Sequence, residues 1–75
     1  FLSPGMENED VRNLQTYLKG IADYSGVIPP IAVTGVFDEA TRDAVAALQA
    51  QNDLPPTGNV GPATWNLIRS LYNAR

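Results

Sequence analysis

Between Asn8 and Tyr24 the apolar residues Val11, Leu14, Leu18, Ile21 and Ala22 recur at steps of three and four, which lays one stripe along a helix. Asn8 is placed to cap its start, and Glu9 and Asp10 fall in the first turn, where the helix dipole favours negative charge. Gly26 supplies a left-handed stop. From Val27 to Val33 the period is lost, because Pro29 and Pro30 fix two φ angles and remove two donors. This apolar stretch is expected to run extended across the bundle. Asp38 caps a second helix from Glu39 to about Asn52, with Ala40, Ala44, Val45, Ala47 and Leu48 on its buried side. So many alanines imply close helix contact. Asn52, Asp53 and Pro55-Pro56 end it, and Gly61-Pro62 opens a third helix that reaches about Tyr72, with Trp65, Ile68, Leu71 and Tyr72 facing inward. Asn73, Ala74 and Arg75 are expected to fray. The fold class predicted is all-α, a small three-helix bundle with proline-rich extended connections.

Two internal echoes support that division. Val11-Arg12-Asn13-Leu14-Gln15 and Val45-Ala46-Ala47-Leu48-Gln49 both read V-x-x-L-Q, with Val and Leu in the buried stripe and Gln beside it. Thr34-Gly35 precedes Ala40-Thr41 by the same interval at which Thr57-Gly58 precedes Ala63-Thr64. The later two helices are therefore entered through one kind of elbow. Gln15 and Gln49 stand at equivalent points, and either can hydrogen-bond to an irregular segment, such as Val27 to Val33, whose backbone lacks ladder partners.

Composition narrows the chemistry. The 75 residues include no Cys and no His, which removes Ser-His-Asp and Cys-His catalysis and the usual zinc ligand sets. Carboxylate pairs are the one catalytic team left. Glu7, Glu9 and Asp10 precede one helix, and Asp38, Glu39 and Asp43 open another, so helix polarity accounts for both groups. A net charge of −3 argues against nucleic acid and anionic lipid as partners. The longest apolar run, Ala44 to Leu48, is five residues, far below the ~20 that cross a bilayer. The chain opens at Phe1 without a signal-like stretch, and reads as one domain over 1–75, a piece of a longer protein.

The ordered set V-x-x-L-Q, T-G-V-F-D-E-A-T-R-D-A-V-A-A-L-Q and L-P-P-T-G-N-V-G-P-A-T-W resembles the bacterial peptidoglycan-binding domain of the three-helix type, from about Met6 to Leu71. The resemblance implies a non-catalytic module that targets an attached cell-wall hydrolase to peptidoglycan, through glycan, stem peptide or both. It implies an extracellular or wall-associated bacterial location, a monomer, a catalytic domain elsewhere in the parent chain, and no metal or cofactor. Thr34 stands where family members often carry an acidic or amide residue, Asp38 where they often carry glycine, and Leu48 where Phe is frequent.

Candidate ligand contacts follow from residue chemistry. Thr34, Asp38, Thr41 and Arg42 gather near the start of the second helix, where free N–H groups attract a carboxylate and Arg42 adds a bidentate fork. Caps account equally for Asp38 and Thr41, and an i,i+3 pair with Glu39 for Arg42. Trp65 offers a face for a sugar ring, although its helical spacing with Ile68 and Tyr72 also suits the core. Phe37 is expected in the core. Tyr17 and Tyr24 lie on the less apolar side of the first helix, where a tyrosine is either exposed and able to touch glycan or partly buried as packing. The rival reading is a protein-protein docking or pro-segment-like helical module; the cysteine by which such pro-regions of metalloproteases ligate zinc is missing here.

Overall fold

The computed structural model describes residues 2–74, so the expected fraying at Arg75 lies outside them. Three helices form, α1 (Glu9–Ser25), α2 (Glu39–Gln51) and α3 (Pro62–Asn73). Their ends obey the capping chemistry. Asn8 accepts the Val11 N–H at 2.9 Å, and Gly26, at φ 69°, sends its N–H back to the Ala22 carbonyl. Asp38 accepts the Thr41 N–H at 2.9 Å. Gly61 precedes Pro62, whose missing donor costs nothing at the first helical position.

The predicted stripe of α1 is buried throughout, and Ala44, Val45 and Leu48 meet it from α2 and Ile68 from α3. Between α1 and α2 the prolines Pro29 and Pro30 stay exposed, while Ile28 and Ile31 on either side of them are 4% and 7% exposed. The connection thus crosses the bundle on two apolar pins. Phe37 is buried as expected. Two expectations change. Ala40 is exposed and Ala47 only half-buried, because the inner face of α2 is shared with two polar residues, Thr41 and Gln49. Trp65, Leu71 and Tyr72 are half-buried and pack on the core from outside it. Tyr17 stands between two of them, edge-on to Trp65 at 5.6 Å and to Tyr72 at 4.8 Å between ring centroids. These edge contacts join α1 to α3.

Periodicity assigns nothing to the residues before Asn8, yet they form a strap that touches both elbows. Leu2 pairs with Val60 by reciprocal backbone bonds of 3.0 and 2.8 Å. Further along, the Gly5 N–H donates to the Phe37 carbonyl at 3.0 Å, the Phe37 N–H to the Met6 carbonyl at 2.8 Å, and the Asn8 N–H to the Gly35 carbonyl at 3.2 Å. Elbow backbone has no helical partner, so it needs donors and acceptors from elsewhere, and the strap supplies them.

Phe37→Ala should lower the unfolding free energy by ~3–5 kcal/mol. A chain of this size is stable by only about 4–11 kcal/mol. Urea unfolding followed by far-UV circular dichroism should therefore show a variant folded marginally or not at all at 25 °C.

Candidate functional site

Gln15 has no exposed surface, although it is a polar residue in the middle of α1. Its carboxamide leaves the helix and enters the first elbow. Oε1 accepts the N–H groups of Thr34 and Gly35, each at 2.8 Å. Nε2 faces the Val36 carbonyl at 2.9 Å and the hydroxyls of Thr41 at 3.0 Å and Thr34 at 3.2 Å. The orientation of the amide is fixed by chemistry. Two backbone N–H groups can only donate, so the oxygen must face them. Thr41 donates its own hydrogen to Asp38 Oδ1 at 2.8 Å, which leaves its oxygen to receive Nε2.

Gln49 repeats the arrangement at the second elbow. Oε1 accepts the Gly58 N–H at 2.9 Å, and Nε2 donates to the Asn59 carbonyl at 2.9 Å and to the Thr64 hydroxyl at 3.0 Å. Gly35 and Gly58 take the same left-handed conformation, φ 85° and 80°, where a β-carbon is strained. The two sequence echoes are therefore parts of one device. The glutamine of V-x-x-L-Q holds the next Thr-Gly turn and the threonine of the Ala-Thr pair beyond it. The predicted support from Gln15 and Gln49 is present, directed at the elbows and not at Val27 to Val33.

An arginine lies over each elbow glycine. Arg12 Nη2 reaches the Thr34 carbonyl at 3.4 Å, and a β-carbon at Gly35 would stand 3.2 Å from that nitrogen. The aliphatic stem of Arg42 covers Gly58 so closely that a β-carbon there would be 2.5 Å from Arg42 Cγ. Its guanidinium pairs with Asp43 at 2.7 Å, replacing the expected pair with Glu39. The i,i+3 pair that does form is Arg12 with Glu9, at 3.9 Å. Arg12 was legible only as an outward helix position, since its place over Gly35 depends on how the elbow docks.

Of the sequence-predicted residues, Thr34, Asp38 and Thr41 are joined in one hydrogen-bonded network through Gln15. Thr34 and Asp38 are exposed; Thr41 is enclosed, with its hydroxyl used in both directions. Arg42 belongs to the same helical turn but leans toward the second elbow. Trp65 lines a separate open groove of about 390 Å³ with Leu2, Met6, Asp10 and Val60.

Comparison with known proteins places this arrangement. The family model described as "Putative peptidoglycan binding domain" matches residues 7–68, a span that contains both glutamines, both elbows and both threonines. The chain belongs to the peptidoglycan-binding domain family. It is also 40% identical over 72 residues to the zinc D-Ala-D-Ala carboxypeptidase of Streptomyces albus G. That match takes in 96% of this chain and 27% of the carboxypeptidase, so the chain spans about a quarter of that relative's length. No solved structure gives a significant match.

What this peptidoglycan-binding domain offers a ligand is surface chemistry. Among the described residues there is no group of three metal-ligating side chains, and every buried side-chain nitrogen or oxygen has a hydrogen-bond partner. The Asp38 carboxyl is held below its ordinary pKa, first by the Thr41 backbone N–H and then by the Thr41 hydroxyl, with desolvation opposing them. It remains a charged cap at neutral pH.

Replacing Gln15 by Leu strands the Thr34 and Gly35 N–H groups and should cost at least about 2 kcal/mol. Native-state hydrogen exchange should accelerate at Gly35 well before Gly58, which Gln49 holds independently. For Asp38 the folded-state pKa is the lower one, so the charged cap's contribution is full above 3.8 and is lost as pH falls through the depressed value. The gap in urea midpoint between wild type and Asp38→Asn should therefore narrow as pH drops below 3.8.

Proposed function

We propose that the domain holds the bacterial wall polymer without acting on it chemically, and that it serves as the targeting part of a longer cell-wall hydrolase. The observation that carries the reading is the family match across both glutamine-held elbows. The likeness to about a quarter of a carboxypeptidase supports an attached catalytic domain. In this reading the domain spans 1–75, acts as a monomer outside the cell or in the wall, needs no cofactor, and is not itself an enzyme.

The elbows bring the rims of two helix starts to the surface in fixed positions. Thr34 and Asp38 form the rim of the first, with Thr41 beneath them as the buried member that positions both. Arg42 carries a half-exposed guanidinium across to the second elbow, suited to a stem-peptide carboxylate once it leaves Asp43. Trp65 lines the neighbouring groove, where a sugar ring can lie against the indole. Each contact is shallow. Affinity of this kind serves by raising the effective concentration of a tethered enzyme at its polymer.

Purified, insoluble sacculi incubated with the domain and centrifuged should deplete it from the supernatant, relative to a protein of similar pI. Full retention in the supernatant at high wall excess would overturn the reading. Arg42→Ala should weaken pelleting several-fold while circular dichroism shows the helices intact. Unchanged pelleting by that folded variant would remove Arg42 from the contact surface.

A further inference from the structure

The last turns of all three helices converge on a second open groove of about 320 Å³. Ile21, Leu48 and Leu71 form its apolar floor, and among the described residues no charged side chain lines it. Tyr24 and Val27, 70% and 48% exposed, stand on its rim.

The polar groups around this groove point one way. Gln51 Nε2 donates to the Val27 carbonyl at 2.6 Å, and Asn52 Nδ2 to the Leu48 carbonyl at 2.8 Å. The Ser25 hydroxyl donates to the Ile21 carbonyl at 2.8 Å. With the side-chain donors turned inward, Gln51 Oε1 and Asn52 Oδ1 are left as acceptors, and neither receives a hydrogen bond among the described residues. A helix C-terminus adds unpaired carbonyls and roughly half a negative charge. Three such ends meet here, and none carries a basic residue in its last turn. The partial charge of the helix ends favours a cation, the walls are apolar, and the exposed Tyr24 stands beside them.

The ligand complementary to that surface is a cation that donates hydrogen bonds and rides on a hydrocarbon stem. We propose that the groove binds a primary ammonium group on an aliphatic chain, of the kind the diamino-acid residue of a wall stem peptide presents. The stem packs on Val27 and Leu71, the ammonium donates to the amide oxygens and helix-end carbonyls, and the Tyr24 ring adds a cation–π contact. A carboxylate would be repelled, and a neutral sugar hydroxyl would gain little from the helix-end potential. The assignment of the ammonium to the wall rests on the wall-binding reading above; the chemistry of the groove does not.

Two measurements separate these. In the first, the isotope-labelled domain is titrated by NMR with Nα-acetyl-lysine amide, with its Nε-acetylated derivative, and with chitotriose. Shifts at the Tyr24, Gln51 and Asn52 backbone amides with the free amine alone are expected, and Tyr24→Ala should weaken them roughly two- to fivefold. Equal shifts from the acetylated compound, shifts from chitotriose alone, or none at all would overturn the proposal. In the second, sacculi are acetylated on their free amines before pelleting. Weaker pelleting than on untreated sacculi is expected. Equal pelleting on both would leave the wall-binding reading standing and overturn this one. No pelleting on either, together with an amine-specific titration, would overturn the wall as the source of the ammonium.

Discussion

Both elbows of this small domain are held from within by a buried carboxamide, Gln15 at the first and Gln49 at the second. A turn between helices brings backbone N–H and C=O groups out of register with any ladder, and burying them unpaired would cost more than a chain this short can sustain. A glutamine solves the problem because it carries an acceptor and two donors on a neutral group. Glutamate in its place would turn an oxygen toward the Val36 carbonyl, and lysine would offer no acceptor to the Thr34 and Gly35 N–H groups. The elbows are as rigid as they are because one side chain closes the turn and also holds the threonine at the start of the next helix.

That device explains how a repeated motif tolerates unequal connections. Nineteen positions separate Gln15 from Thr34, and eight separate Gln49 from Thr57. The excess is the stretch around Pro29 and Pro30, which contributes Ile28 and Ile31 to the core and otherwise bypasses the clamp. Loop length enters stability weakly, so the same elbow can be rebuilt after a short connection or a long one.

The helices were legible because their signals are local. Asn8, Asp38, Gly26 and Gly61-Pro62 act within a turn of themselves, and the α1 stripe is a matter of spacing. The elbows were half legible: V-x-x-L-Q and T-G with A-T can each be seen as repeats, but their union depends on a side chain crossing to a distant segment. Other placements had no local sign. Ala40 looks inward by composition, yet the phase of α2 is set by burying Thr41 and Gln49 for their hydrogen bonds. The strap before Asn8 has no period at all, and pairs through backbone groups that every residue shares. Tyr24 and Val27 are apolar residues in a polar setting, and only the convergence of three helix ends makes a groove of them.

The pairing of Leu2 with Val60 has a mechanical corollary. Because that contact ties one end of the strap to the second elbow, while Met6 and Asn8 tie the other end to the first, a pull on the leading residues is shared by both turns at once. The domain therefore resists peeling one helix at a time, and yields as a unit or stays whole.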